Sequence, residues 1–163
     1  MLTADGALSA AALALLDAIA ETIIPRTDTP GAHDIAAAEF IDMLFSEWMP
    51  APVQAWFISG LEVFEKDVRS RSASGFLQMS ATRRLACLYD VQATCRGQPA
   101  RTEATFFLAL KELMLLAYYT SEAGSSQELE LNLVPGYYEP CKRISTDTHA
   151  QSIMRSTTLG WVP

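Results

Sequence analysis

The stretch FFLALKELMLLAYY, Phe106 to Tyr119, constrains the fold more than any other part of the chain. Phe106, Leu110, Leu113, Met114 and Ala117 recur at helical spacing, and Phe107, Leu108, Leu115 and Leu116 widen that stripe. A helix apolar on most of its sides has to be enclosed by other elements. Lys111 and Glu112 interrupt the run, which is too short for the about 20 apolar residues of a bilayer span. It reads as the central helix of a bundle, starting at a Thr102 cap and running to about Thr120.

No strand-like alternation is sustained elsewhere, and helical periodicity dominates. A first helix is expected from an N-cap at Ser9, with Leu13, Leu16, Ala20 and Ile23 on one face, ending at Pro25. A second is expected from an Asp34 cap through Met49, burying Phe40, Ile41, Leu44, Phe45 and Trp48. Pro52 suits the first turn of a third helix, with Trp56, Gly60, Phe64 and Val68 toward the core. A fourth is expected from Ser80 to about Ala93, with Leu85, Leu88 and Tyr89 inward. CRGQPARTE, from Cys95 to Glu103, reads as the loop that follows. The fold class is therefore all-α, a single bundle of about five helices. The helical core is expected over residues 1–120 and a long irregular extension over 121–163. Within that extension SSQELEL suggests a short helix, and Gly124 suits a turn just after the central helix.

Composition narrows the function. Of 163 residues 50% are hydrophobic and 19% charged, with a net charge of −7. An acidic chain with scattered basic residues lacks the footprint that phosphate backbones require, so nucleic acid is excluded as a partner. Anionic membrane surfaces are disfavoured on the same ground. Cys87, Cys95 and Cys141 show no paired spacing of the kind a structural zinc site uses, and their pairing stays open. The apolar N-terminal segment LSAAALALLDAIA resembles a signal-peptide core, but no Lys or Arg precedes it and Asp17 lies within it. It reads as the first helix.

Chemistry-bearing residues concentrate in TIIPRTDTPGAHD, Thr22 to Asp34, which holds His33, one of two histidines. A triad on His33 with Asp28 or Asp34 lacks a nucleophile-elbow motif. A metal site on Asp28, His33 and Asp34 lacks the spacing of a calcium loop. A free-standing enzyme or metal-binding module centred on His33 is the alternative reading. The favoured one is structural: Asp and Thr make side-chain turns, Pro30-Gly31 suits a type II turn, and Asp34 caps the next helix. AYYTSEAGSSQELE and VPGYYEPCKR are the other dense stretches, and tyrosines beside arginine are typical interface anchors.

IIPRTDTPGAHD followed by AAEFIDMLF, then FFLALKELMLLAYYTSEAGSSQELELNLVPGYYEPC, resembles the gluconate 2-dehydrogenase subunit 3 family. The resemblance covers about Ile23 to Phe45 and Phe106 to Cys141, while the middle of the chain fits in helical character alone. It implies a small subunit without catalytic residues, metal or cofactor of its own. The implied partner is a large FAD-binding flavoprotein of the glucose-methanol-choline type that oxidises a sugar or glucoside, joined in some complexes by a cytochrome c subunit. It also implies a periplasmic complex. No twin-arginine segment precedes Thr3, so either a signal has been removed, or export depends on the partner, or the complex stays inside. The chain has no dinucleotide fingerprint and no haem-attachment motif, so it is neither of those partners. The residues expected at the shared interface are Arg26, Asp28, His33, Tyr118, Tyr119, Glu122, Tyr137, Tyr138, Arg143 and Trp161.

Overall fold

The computed structural model describes residues 7–72, 74–97, 102–129, 141 and 143. Its elements are α1 (Ala10–Ile23), α2 (Ala37–Glu47), α3 (Ala51–Arg71), a 3₁₀ turn (Phe76–Gln78), α4 (Ala81–Gly97), α5 (Thr102–Thr120) and a π-helical turn (Gly124–Glu128). The fold is all-α.

Helix α1 begins as its sequence predicts. Ser9 is extended, and its hydroxyl accepts a hydrogen bond from the Ala12 amide at 3.3 Å, satisfying one orphan donor of the first turn. The helix stops at Ile23, where the Ile24 amide still reaches the Ala20 carbonyl and Pro25 follows. Leu15, Leu16 and Ile19 are buried together with the small residues Ala12, Ala18 and Ala20, which let neighbouring elements approach closely.

Helix α5 is central, as its composition demands. It packs against all four other helices and the π turn. Phe106 meets Phe57 and Trp56 of α3 edge-on, with ring centroids 5.5 and 5.6 Å apart, and Phe45 of α2 extends the cluster through Phe57. Such aromatic pairs add about 0.5–1.5 kcal/mol each beyond area burial. Gly60 makes this crossing possible, because a Cβ there would lie 2.2 Å from the Phe106 ring.

Four expectations need correction. Helix α2 starts at Ala37 rather than after an Asp34 cap, and the residue before it, Ala36, is left-handed with φ 53°. The Asp34 carboxylate is engaged within the loop instead. Trp48 does not join the core and is 75% exposed. Here α2 has ended at Glu47 and the Met49 amide closes back onto the Leu44 carbonyl, so Met49 takes the inward position. In α4, Leu88 is buried but Leu85 and Tyr89 are not, since between Ala81 and Cys95 only Leu88 and Cys95 are fully covered. That helix presents a narrow seam rather than a face. It also runs to Gly97, placing Cys95 in a helix and not in a loop. Cys87 and Cys141 are free thiols.

SSQELEL, expected as a short helix, contributes Ser125 to Glu128 to the π turn, which opens at a buried Gly124. The irregular extension expected beyond it lies outside the described residues, apart from Cys141 and Arg143.

Candidate functional site: the loop between the first two helices

The segment from Arg26 to Asp34 is a folded unit tied to three separate elements. Glu21, in the last turn of α1, accepts hydrogen bonds from two loop amides: Arg26 N–H at 3.1 Å and His33 N–H at 3.0 Å. One carboxylate thus pins both ends of the loop. The Ala32 amide adds a bond to the Ile24 carbonyl at 2.9 Å. Gly31 passes so close to this clasp that a Cβ would sit 2.6 Å from the Arg26 nitrogen and 2.7 Å from a Glu21 oxygen. The glycine is required by space.

Asp34 closes the loop from within. One of its oxygens accepts from the Arg26 guanidinium at 3.0 Å and the other from the Gly31 amide at 2.9 Å. From α5, the buried Tyr118 donates its hydroxyl proton to the Pro30 carbonyl at 2.7 Å. From the π turn, Glu128 accepts from the Thr29 hydroxyl at 2.9 Å. The two stretches singled out in the sequence, 22–34 and 117–130, are therefore joined across about ninety positions by side-chain hydrogen bonds.

His33 stands on the outer surface of this unit, its side chain 68% exposed. Its Nδ1 lies 2.8 and 3.0 Å from the two carboxylate oxygens of Asp17. The hydrogen bond to Asp17 and that group's charge raise the imidazole above its ordinary value. Slight desolvation opposes them, and Glu21 and Asp34 add smaller pushes in the same direction. Burial, followed by the Glu128 charge and Tyr118, raises the Tyr119 phenol.

The structure brings together Arg26, His33 and Tyr118, the last from inside and the first two at the surface. Asp28 is exposed and joins none of the loop's hydrogen bonds. Tyr119 and Glu122 are exposed nearby in sequence, and Arg143 is exposed. Tyr137, Tyr138 and Trp161 lie outside the described residues. Sequence reading missed Asp17, Glu21, Thr29 and Glu128. The signal for the first two was there: carboxylates four apart on one helix repel each other, and a carboxylate at a helix C-terminus opposes the macrodipole. Such a pair invites a donor from elsewhere.

The side chains of Glu21, Asp34 and Tyr118 hold the loop backbone in place. An Asp17–His33 pair has the form of an orienting acid and a base. Among the described residues, however, no hydroxyl or thiol lies within hydrogen-bond reach of the ring. Asp34 is occupied by Arg26 and Gly31, and no three metal-ligating side chains converge among the described residues. Two cavities open elsewhere. One, of about 120 Å³, lies between α3, α4 and α5 beside Gly60, Phe64 and Cys95. The other, of about 220 Å³, lies between α1, α4 and α5 beside Leu88 and Lys111. No described helix is long and apolar enough to cross a membrane.

A family model described as gluconate 2-dehydrogenase subunit 3 matches residues 10–136. The chain belongs to that family. The match begins at the first residue of α1 and takes in all five helices, the loop and the π turn, including the middle of the chain. It ends just before Tyr137, so Tyr137, Tyr138, Arg143 and Trp161 fall beyond the part that defines a gluconate 2-dehydrogenase subunit 3 protein. No curated protein and no solved structure is significantly similar to the chain.

Proposed function

We propose that this chain is a non-catalytic small subunit that binds and stabilises a large FAD-dependent dehydrogenase of the glucose-methanol-choline type. Its substrate would be a sugar such as gluconate or a glucoside. The observation that carries this reading is family membership across the whole helical core. In this reading FAD resides in the large subunit, a cytochrome c subunit is an optional third component, and the complex matures for export to the periplasm.

Two features of the molecule support a partner. The first is the loop, whose internal bonding leaves Arg26 and His33 presented on a rigid base, their side chains 71% and 68% exposed. Preorganised elements bind at lower entropic cost. The second is uncovered apolar surface: Trp48, Leu85 and Tyr89 are all well exposed. Tryptophan and tyrosine dominate interface hot spots. Tyr118 serves such an interface indirectly by holding Pro30, whereas Tyr119 is available for contact.

Expression of the large subunit with and without this chain tests the proposal. The large subunit alone is expected to be poorly soluble or flavin-poor. A soluble, flavin-loaded and fully active large subunit made without this chain would refute it. His33→Ala separates the alternative of a His33-centred enzyme. A subunit keeps most of the complex's turnover in that variant, and a catalytic histidine loses it.

A further inference from the structure

We propose that His33 is a proton-controlled fastener that sets how tightly the Arg26–Asp34 loop is held to α1. The geometry carries this. His33 is attached to α1 twice, through its backbone amide to Glu21 and through its ring to Asp17. Asp17 and Glu21 are four residues apart on one helix, a spacing at which like charges destabilise it. A protonated imidazole paired with Asp17 offsets one of the two charges and so relieves that repulsion, and a neutral one leaves it in place.

The charged groups acting on the ring are Asp17 and Glu21 from α1 and Asp34 from the loop itself, with Arg26 partly neutralising Asp34. All three carboxylates favour the charged ring, and its proton affinity is raised accordingly. The sign follows. A group whose folded pKa lies above its unfolded value of 6.5 contributes fully below that value. The contribution is lost as the pH rises through the folded value. The fastener is closed below the ordinary imidazole value of 6.5 and loosens as the pH rises through the raised value of the folded state. Because the pair is exposed, the effect is small, a change of about two- to five-fold in the loop's opening equilibrium. The other ties, from Tyr118 and Glu128, keep the loop from detaching altogether.

Amide hydrogen exchange by NMR on the full chain, corrected for intrinsic exchange rates, reads this directly. The Arg26 and His33 amides both end on Glu21 and report the loop. Their protection is expected to fall about two- to five-fold as the His33 ring, followed in the same spectra, loses its proton. In Asp17→Asn the fall shrinks to less than half, and in His33→Gln protection is low and independent of the ring's titration range. Protection that stays constant while the ring titrates overturns the proposal, and so does an undiminished fall in Asp17→Asn. Far-ultraviolet circular dichroism of both variants shows that the helices remain.

Discussion

At the scale of single residues, the loop is decided by contacts that leave no room for alternatives. Gly31 is the tightest of them, its space bounded by a backbone nitrogen and the Glu21 carboxylate. Gly31→Ala forces the clasp apart and is expected to destabilise the protein by about 1–3 kcal/mol, measured by urea denaturation. An unchanged midpoint would mean that the clasp is not closed in solution. Tyr118→Phe removes the donor to the Pro30 carbonyl while keeping the packed ring, at an expected cost of about 1 kcal/mol. Alkylation followed by mass spectrometry orders the thiols. Exposed Cys141 reacts first, Cys87 lags because burial pushes its thiol up, and buried Cys95 reacts last. A Cys95 that labels as fast as Cys141 would contradict the packing of α4 against α5. Several residue roles were legible beforehand. Ser9 as a cap and Pro25 as a stop follow from local chemistry, which the sequence expresses directly. The role of Asp34 was not, because capping competes with a guanidinium eight residues earlier, and only the folded loop brings that guanidinium into reach.

At the scale of elements, α5 was readable because an all-round apolar helix has one place to go. Its neighbour α4 was misread in part. Leu85, Leu88 and Tyr89 share a helical face, yet of the three only Leu88 is covered, because α4 turns Cys87, Leu88, Val91 and Cys95 toward the bundle instead. Substitutions separate two of these positions. Leu88→Ala is expected to cost about 2–5 kcal/mol, whereas Tyr89→Ala on the isolated chain should stay within about 0.5 kcal/mol. Comparable losses at both positions would show that α4 is more deeply covered than its exposure indicates. Trp48 illustrates the same limit. Periodicity carries a pattern forward from Ile41, Leu44 and Phe45, but it cannot see that the helix ends at Glu47 and that the closing turn shifts the register by one. The cooperation of the loop with the π turn was invisible for a different reason. Thr29 and Glu128 are ninety-nine positions apart, and nothing local in either announces the other.

At the scale of the whole molecule, the features describe an all-α bundle with a clasped loop at one surface and uncovered apolar side chains at others. The core is apolar, with no charged side chain among the buried residues described and the buried Tyr118 hydroxyl bonded to Pro30. Charged groups gather instead at the loop, where they hold backbone in place. Large apolar groups remain uncovered at Trp48 and along α4 and α5. Membership of the gluconate 2-dehydrogenase subunit 3 family is consistent with such surfaces meeting a partner subunit. The proposed contribution of Trp48 belongs at this scale. Trp48→Ala is expected to leave the isolated chain as stable as before and to weaken the complex about tenfold or more, the effect of losing a hot-spot aromatic. Equal affinity of variant and parent for the flavoprotein would remove Trp48 from the interface. The central claim is tested most directly by measuring flavin content and turnover of the large subunit expressed with and without this chain. The account predicts a stable, flavin-loaded and active dehydrogenase only when both chains are present. An equally stable and active large subunit made alone would contradict it.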